Sequence, residues 1–253
     1  IGSALSATIC MPAEGDWASL RIYRQDAQGE TCVQYDTWEL CSPKQALISQ
    51  WIAAAEGEDG TMRRADNVTA PGQCKRYLIN LFARVSEGFA LAGYPNVKLA
   101  MPEEHHDTRV VKRAYGAGWK MPDTAEGNPF YEMAAFDYDS GCSVRQNREA
   151  VYAFLAQAQA GDVLQMMATY NSGNRGTHTA LITRNYDAVK EQLQWADSNF
   201  KMRNIDGIRY AFVVGEQVYT RQKLADWLLY AGNGATLYRL RDDLVVTEED
   251  NAC

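Results

Sequence analysis

The sequence predicts an α+β fold built on an antiparallel sheet, and three observations carry that prediction. Helical spacing of apolar residues is confined to four segments, near 42–57, 74–93, 147–159 and 220–231. Between 163 and 241 the chain is mostly short β-rich runs broken by turns. The order is thus helix, irregular stretch, helix and then mainly strands, which suits helices packed on an antiparallel sheet.

The elements follow in order. LRIYR and TCVQY within 17–40 read as a hairpin, with DAQG as the turn. Ser42-Pro43-Lys44-Gln45 starts a helix: Ser42 suits a cap, Pro43 the first turn and Gln45 a capping box. That helix stops near Gly57, and 57–72 reads as a polar loop. A second helix begins at Cys74, with Leu78, Leu81, Phe82, Val85 and Phe89 at helical spacing and Gly93 and Pro95 ending it. Residues 95–146 read as an irregular insertion, and a helix returns at 147–159. Gly161-Asp162 turns into the strand VLQMMATY, and a polar loop at 171–176 leads to THTALITR. EQLQWADSNF, RYAFVV, a helix at 220–231 and ATLYRLR complete the chain.

Composition narrows the function classes. The 253 residues are 46% apolar and 23% charged, as in globular chains, and suffice for one good core. A net charge of −7 with no Lys/Arg cluster argues against nucleic acid. No apolar run is long enough to span a bilayer. Six cysteines, with Cys32 and Cys41 the closest pair, set the expectation of a secreted or periplasmic protein, as do Ile1 to Ala7 if they are a signal-peptide remnant.

The chemistry converges on two residues. Cys74 stands where a helix begins, after Pro71-Gly72, and a helix N-terminus favours the thiolate. A cysteine there is more often structural, so it needs a partner. His178, one of three histidines, opens an apolar strand in which it shares a face with Ala180 and Ile182. A tight turn centred between Asp187 and Ala188 places His178 opposite Asp197, and a centre one residue on places it opposite Asn199. Either register supplies an oxygen to orient the imidazole, and Leu193 and Trp195 continue the face as a cover. Asp197 is the favoured partner, because a charge also stabilises imidazolium. The Cys74 backbone amide is expected in the oxyanion hole, with Gln73 as a candidate second donor. Arg175 is a candidate for holding a substrate carboxylate.

These segments resemble a known family. Pro71-Gly72-Gln73-Cys74-Lys75-Arg76-Tyr77 is similar to the nucleophile segment of CHAP domains, GQC followed by Tyr. Gly161-Asp162-Val163 resembles their turn into the sheet, Gly176-Thr177-His178 their histidine strand, and Asp197-Ser198-Asn199-Phe200 their acid-x-Asn-aromatic ending. Thr177 separates the Gly from the His, and residues 95–155 are a large insertion by that family's standard. The resemblance, shared with NlpC-type domains, implies a papain-like cysteine amidase or peptidase acting on cell-wall peptides, with no cofactor. Two alternatives stand beside it: a transglutaminase-like acyl transferase, and an inactive papain-like binding module. An inhibitor or immunity protein as partner is left open by the sequence.

Other features are read more plainly. Glu103-Glu104-His105-His106-Asp107 is a solvated acidic loop rather than a metal site, since adjacent histidines diverge and no distant ligand is evident. Asn67-Val68-Thr69 is a glycosylation triplet of low specificity. The expected organisation is a hairpin-helix region at 1–59, a papain-like domain at 60–242 with its insertion at 95–146, and a tail at 243–253.

Overall fold

The computed structural model describes residues 17–26, 29–39, 43–67, 70–85, 89–91, 130–240 and 245–247. Strands β1 (Trp17–Asp26) and β2 (Gly29–Glu39) precede helix α1 (Pro43–Gly57) and the short strand β3 (Met62–Arg64). Helix α2 (Cys74–Val85), β4 (Phe89–Leu91), β5 (Phe130–Asp137) and helix α3 (Val144–Leu155) follow. Then come β6 (Val163–Thr169), β7 (Arg175–Ile182), β8 (Gln192–Ile205), β9 (Ile208–Thr220), helix α4 (Arg221–Leu228), β10 (Gly234–Leu240) and β11 (Val245–Thr247).

The fold is mixed α/β around a seven-stranded antiparallel sheet of order β3-β9-β8-β7-β6-β10-β5. Period-two alternation divides its side chains between two cores. Val163, Leu181, Ala196 and Val213 face α1 and α2, meeting Leu47, Trp51, Leu78, Leu81 and Phe82. Leu164, Met166, Ala180, Ile182 and Trp195 face α3 and α4, meeting Val151, Phe154, Leu224 and Trp227. Each large side chain fully buried this way contributes about 1.5–3 kcal/mol. Helix α1, assigned by sequence to a separate N-terminal region, shares its core with α2.

The hairpin near 17–40 and the starts of α1 and α2 stand where the sequence puts them. Strand β3 falls inside the expected 57–72 loop, and four further details differ. Helix α2 runs to Val85, and Phe89 lies in β4 rather than on the helix. The last part of the expected insertion, 130–137, is an edge strand paired with β10. Helix α3 starts at Val144, three residues early, because Ser143 and Gln146 form a reciprocal capping box. Asp206-Gly207 closes an unforeseen β8–β9 hairpin, with both residues at positive φ as a two-residue turn requires.

The Gly161-Asp162 turn is held from the sheet. Both carboxylate oxygens of Asp162 accept from Arg239 of β10 at 2.8 Å, and Asp162 Oδ2 also accepts from the Gln159 N–H. No described helix is long and apolar enough to cross a membrane. The Glu103–Asp107 run, Cys10, Cys41 and Cys253 lie outside the described residues, as do Val68 and Thr69 of the glycosylation triplet. Cys74 and Cys142 are free thiols.

Candidate active site

The segment before α2 is clamped from two sides. The Gly72 N–H donates to the Arg64 carbonyl of β3 at 2.6 Å, and Ser198 Oγ of β8 donates to the Gly72 carbonyl at 2.7 Å. A Cβ on Gly72 would lie 2.6 Å from the Arg63 oxygen and 2.7 Å from the Arg64 oxygen, so this passage admits only glycine. Gln73 is pinned in turn: its Nε2 donates to the Ala65 carbonyl at 2.8 Å and its Oε1 accepts from Asn199 Nδ2 at 2.9 Å. Cys74 follows as the first residue of α2.

The sheet opens to receive it. β7 and β8 pair only at Leu181↔Ala196 and Ile182↔Trp195. A continued ladder would send the Thr179 N–H to the Ser198 carbonyl. Instead the strands part there, and the N–H groups of Thr179 and Lys75 donate to the Cys74 sulfur. The sulfur is also hydrogen-bonded to the His178 imidazole. Burial pushes the Cys74 thiol up, but His178 and these two backbone donors outweigh it and hold the thiol below its ordinary value.

His178 lies between the sulfur and an acid. Its Nε2 is 3.2 Å from Asp197 Oδ2, which leaves Nδ1 facing Cys74. The contact falls outside hydrogen-bond geometry, so the link is ionic more than directional. Burial alone would lower the His178 pKa; Asp197 and Cys74 overcome it and push it up to about 10. All three side chains are sequestered, at 5%, 4% and 0% exposure for Cys74, His178 and Asp197. The charges therefore act with little screening.

The strand register explains which partner His178 takes. The observed ladder is the second of the two expected, and continued it would set His178 opposite Asn199. Bulges in β8 between Trp195 and Asp197 and between Ser198 and Lys201 intervene. Asp197, on the same face and diagonal to His178, reaches the ring. Asn199 turns to Gln73 in a left-handed conformation, φ 78°. Asp197 is fixed by a donor that sequence reasoning treated only as cover: Trp195 Nε1 donates to Oδ2 at 2.6 Å. The i, i+2 spacing in a strand already put Trp195 on that face.

The structure thus brings Cys74, His178 and Asp197 together, sets Gln73 and Asn199 beside them, and engages Arg175 with the turn before β10. Gln73 and Asn199 lock the loop before Cys74. Arg175 ties β7 to the turn before β10, donating from Nε to Asn233 Oδ1 at 2.9 Å and from its terminal nitrogen to the Gly232 carbonyl. Aromatic rings close the site: Phe200 stands edge-on to His178 at 4.5 Å between centroids, and Tyr170 edge-on to Phe200 at 5.4 Å. No protein family, curated protein or solved structure matches the chain.

Proposed function

We propose that the chain is a cysteine-dependent amide hydrolase of papain-like architecture, acting on peptides, with bacterial cell-wall peptides as its substrate class. The observation that carries the reading is the buried Cys74–His178–Asp197 arrangement, in which the thiol is held below its ordinary value and the imidazole above. A buried thiolate–imidazolium pair beside a carboxylate is expensive to assemble for stability alone. It is the form a cysteine nucleophile needs near neutral pH. The helix on one side of an antiparallel sheet, with the Cys at its start and the His on a central strand, supports the papain-like part. The GQC-x-x-Tyr segment supports the substrate class by its resemblance to CHAP domains.

In this reading the Cys74 sulfur attacks the carbonyl carbon. His178 Nδ1–H gives its proton to the leaving nitrogen, and water then hydrolyses the thioester with His178 as base. The Cys74 N–H, at a helix N-terminus without an intrahelical acceptor, points a donor at the developing oxyanion. Asp197 holds the ring and stabilises its positive form.

The test is digestion of purified peptidoglycan with wild type and Cys74→Ala, followed by mass spectrometry of the fragments. Cleaved amide bonds with wild type and intact material with the variant are expected. Intact material with both, or equal cleavage by both, overturns the reading. Products joined to an added amine would move it toward acyl transfer.

A further inference from the structure

A tyrosine not assigned by the sequence stands in the site. Tyr170 follows β6, and its side chain lies on the face of the sheet that carries His178, since Met166, four residues earlier, is the β-partner of His178. Its backbone is fixed in the β6–β7 turn: its N–H donates to the Asn174 carbonyl at 2.9 Å and its carbonyl accepts from the Gly173 N–H at 2.8 Å. The ring is held edge-on by Phe200 and Trp227, with centroids at 5.4 and 5.1 Å. Yet its hydroxyl is buried and has no hydrogen-bond partner. Tyrosine hydroxyls taken from water nearly always find one. The hydroxyl also feels Cys74 and Asp197: burial raises its pKa most, and both negative groups raise it further. It therefore stays a neutral donor throughout the working pH range.

We propose that the Tyr170 hydroxyl is an oxyanion donor of this hydrolase, a role that rests on the Cys74 nucleophile assigned above. As the Cys74 sulfur bonds to the carbonyl carbon, the π pair moves onto oxygen. Tyr170 O–H donates to that oxygen beside the Cys74 N–H. Collapse returns the pair to the carbonyl and expels the leaving group, which takes the His178 proton when it is an amine. Gln73, the donor expected from sequence, has its amide bonded to Ala65 and Asn199 instead. A donor idle in the resting enzyme and engaged only as charge develops is the arrangement that selects for the transition state.

Two reactions of the same sulfur separate this role from others. Acylation by p-nitrophenyl acetate passes through an oxyanion, and alkylation by iodoacetamide does not. Tyr170→Phe removes only the hydroxyl. The expected result is an acylation burst slowed by about 10²-fold, with the alkylation rate, its pH dependence and the melting temperature as in wild type. Tyr170→His, which keeps a ring donor, should recover part of the acylation rate. An acylation rate equal to wild type overturns the proposal, as does a parallel fall of both reactions or a shifted alkylation pH profile, which would make Tyr170 a support for Asp197. Wild type inert in both reactions, like Cys74→Ala, would instead overturn the nucleophile on which the proposal rests.

Discussion

Replacing Asp197 with Asn removes one charge and keeps the shape. The carboxylate lies 3.2 Å from His178 Nε2, with both side chains buried. At an effective dielectric of about 20, a unit charge at that distance is worth about 5 kcal/mol, or roughly four pKa units. It is of the order of the rise of His178 from an ordinary 6.5 to about 10, to which Cys74 also contributes and from which burial subtracts. In the proposed mechanism the active thiolate–imidazolium form exists above the Cys74 pKa and below the His178 pKa. Asp197→Asn should therefore narrow the pH–rate profile from both sides. The basic limb should fall by at least about two units, and the acidic limb should rise as the thiolate loses its imidazolium. At the optimum, kcat should drop by about 10²-fold or more, because an amide can also hold the wrong tautomer. Stability follows the same sign. A raised histidine pKa stabilises the fold below pH of about 6.5 and stops doing so as pH rises through 10. The variant should thus lose most stability in the acid to neutral range and least above pH of about 10. The assay is kcat across pH on any cleaved peptide, paired with denaturant melts at matched pH. An unchanged basic limb in a folded variant would refute the assignment of Asp197 as the partner of His178.

Other substitutions test the framework. Asn199→Ala breaks the bond to Gln73 and replaces an Asn, which tolerates φ 78°, with a residue that does so less readily; kcat should fall by less than in Asp197→Asn, with both limbs in place, and Asn199→Gly should recover part of the stability. Gly72→Ala meets carbonyl oxygens at 2.6 and 2.7 Å; a destabilisation of about 1–3 kcal/mol by denaturant melt and a larger loss of activity are expected, since the clash displaces the residues leading to Cys74. Asp162→Ala leaves Arg239 without its two carboxylate bonds; about 3 kcal/mol of stability should be lost, with little change in the pH profile of the remaining folded enzyme. Trp195→Phe removes the donor to Asp197 and shrinks a fully buried ring; the basic limb should shift and the melting temperature should fall.

The parts legible in sequence were those with a local cause. Helical spacing located α1, α2, α3 and α4, and alternation located β6 to β10. The Pro-Gly entry and the helix start singled out Cys74, and face-sharing on neighbouring strands singled out His178 with two candidate partners. What stayed hidden was non-local. The choice of Asp197 over Asn199 is made by two bulges in β8 and a left-handed Asn199. A hairpin argument from turn position has no access to these, since register alone favours Asn199. The Thr179 N–H reaches the sulfur through a strand opening that no periodicity encodes. Gln73 looked like an oxyanion donor because it adjoins Cys74, yet its direction is set by Ala65 and Asn199. The Ser143–Gln146 capping box and the Asp206-Gly207 turn were readable and would have corrected the boundaries of α3, β8 and β9.

The central claim is that Cys74 rests as a thiolate because His178 and Asp197 make it one. Far-ultraviolet thiolate absorbance, titrated from acid to mildly alkaline pH in wild type and subtracted from Cys74→Ala, measures that state without substrate or reagent access. The account predicts one thiolate titrating well below the ordinary thiol value of 9.0, returning toward or above that value in His178→Ala and moving part of the way in Asp197→Asn. A Cys74 signal that appears only at or above the ordinary value, or one indifferent to His178, would contradict it.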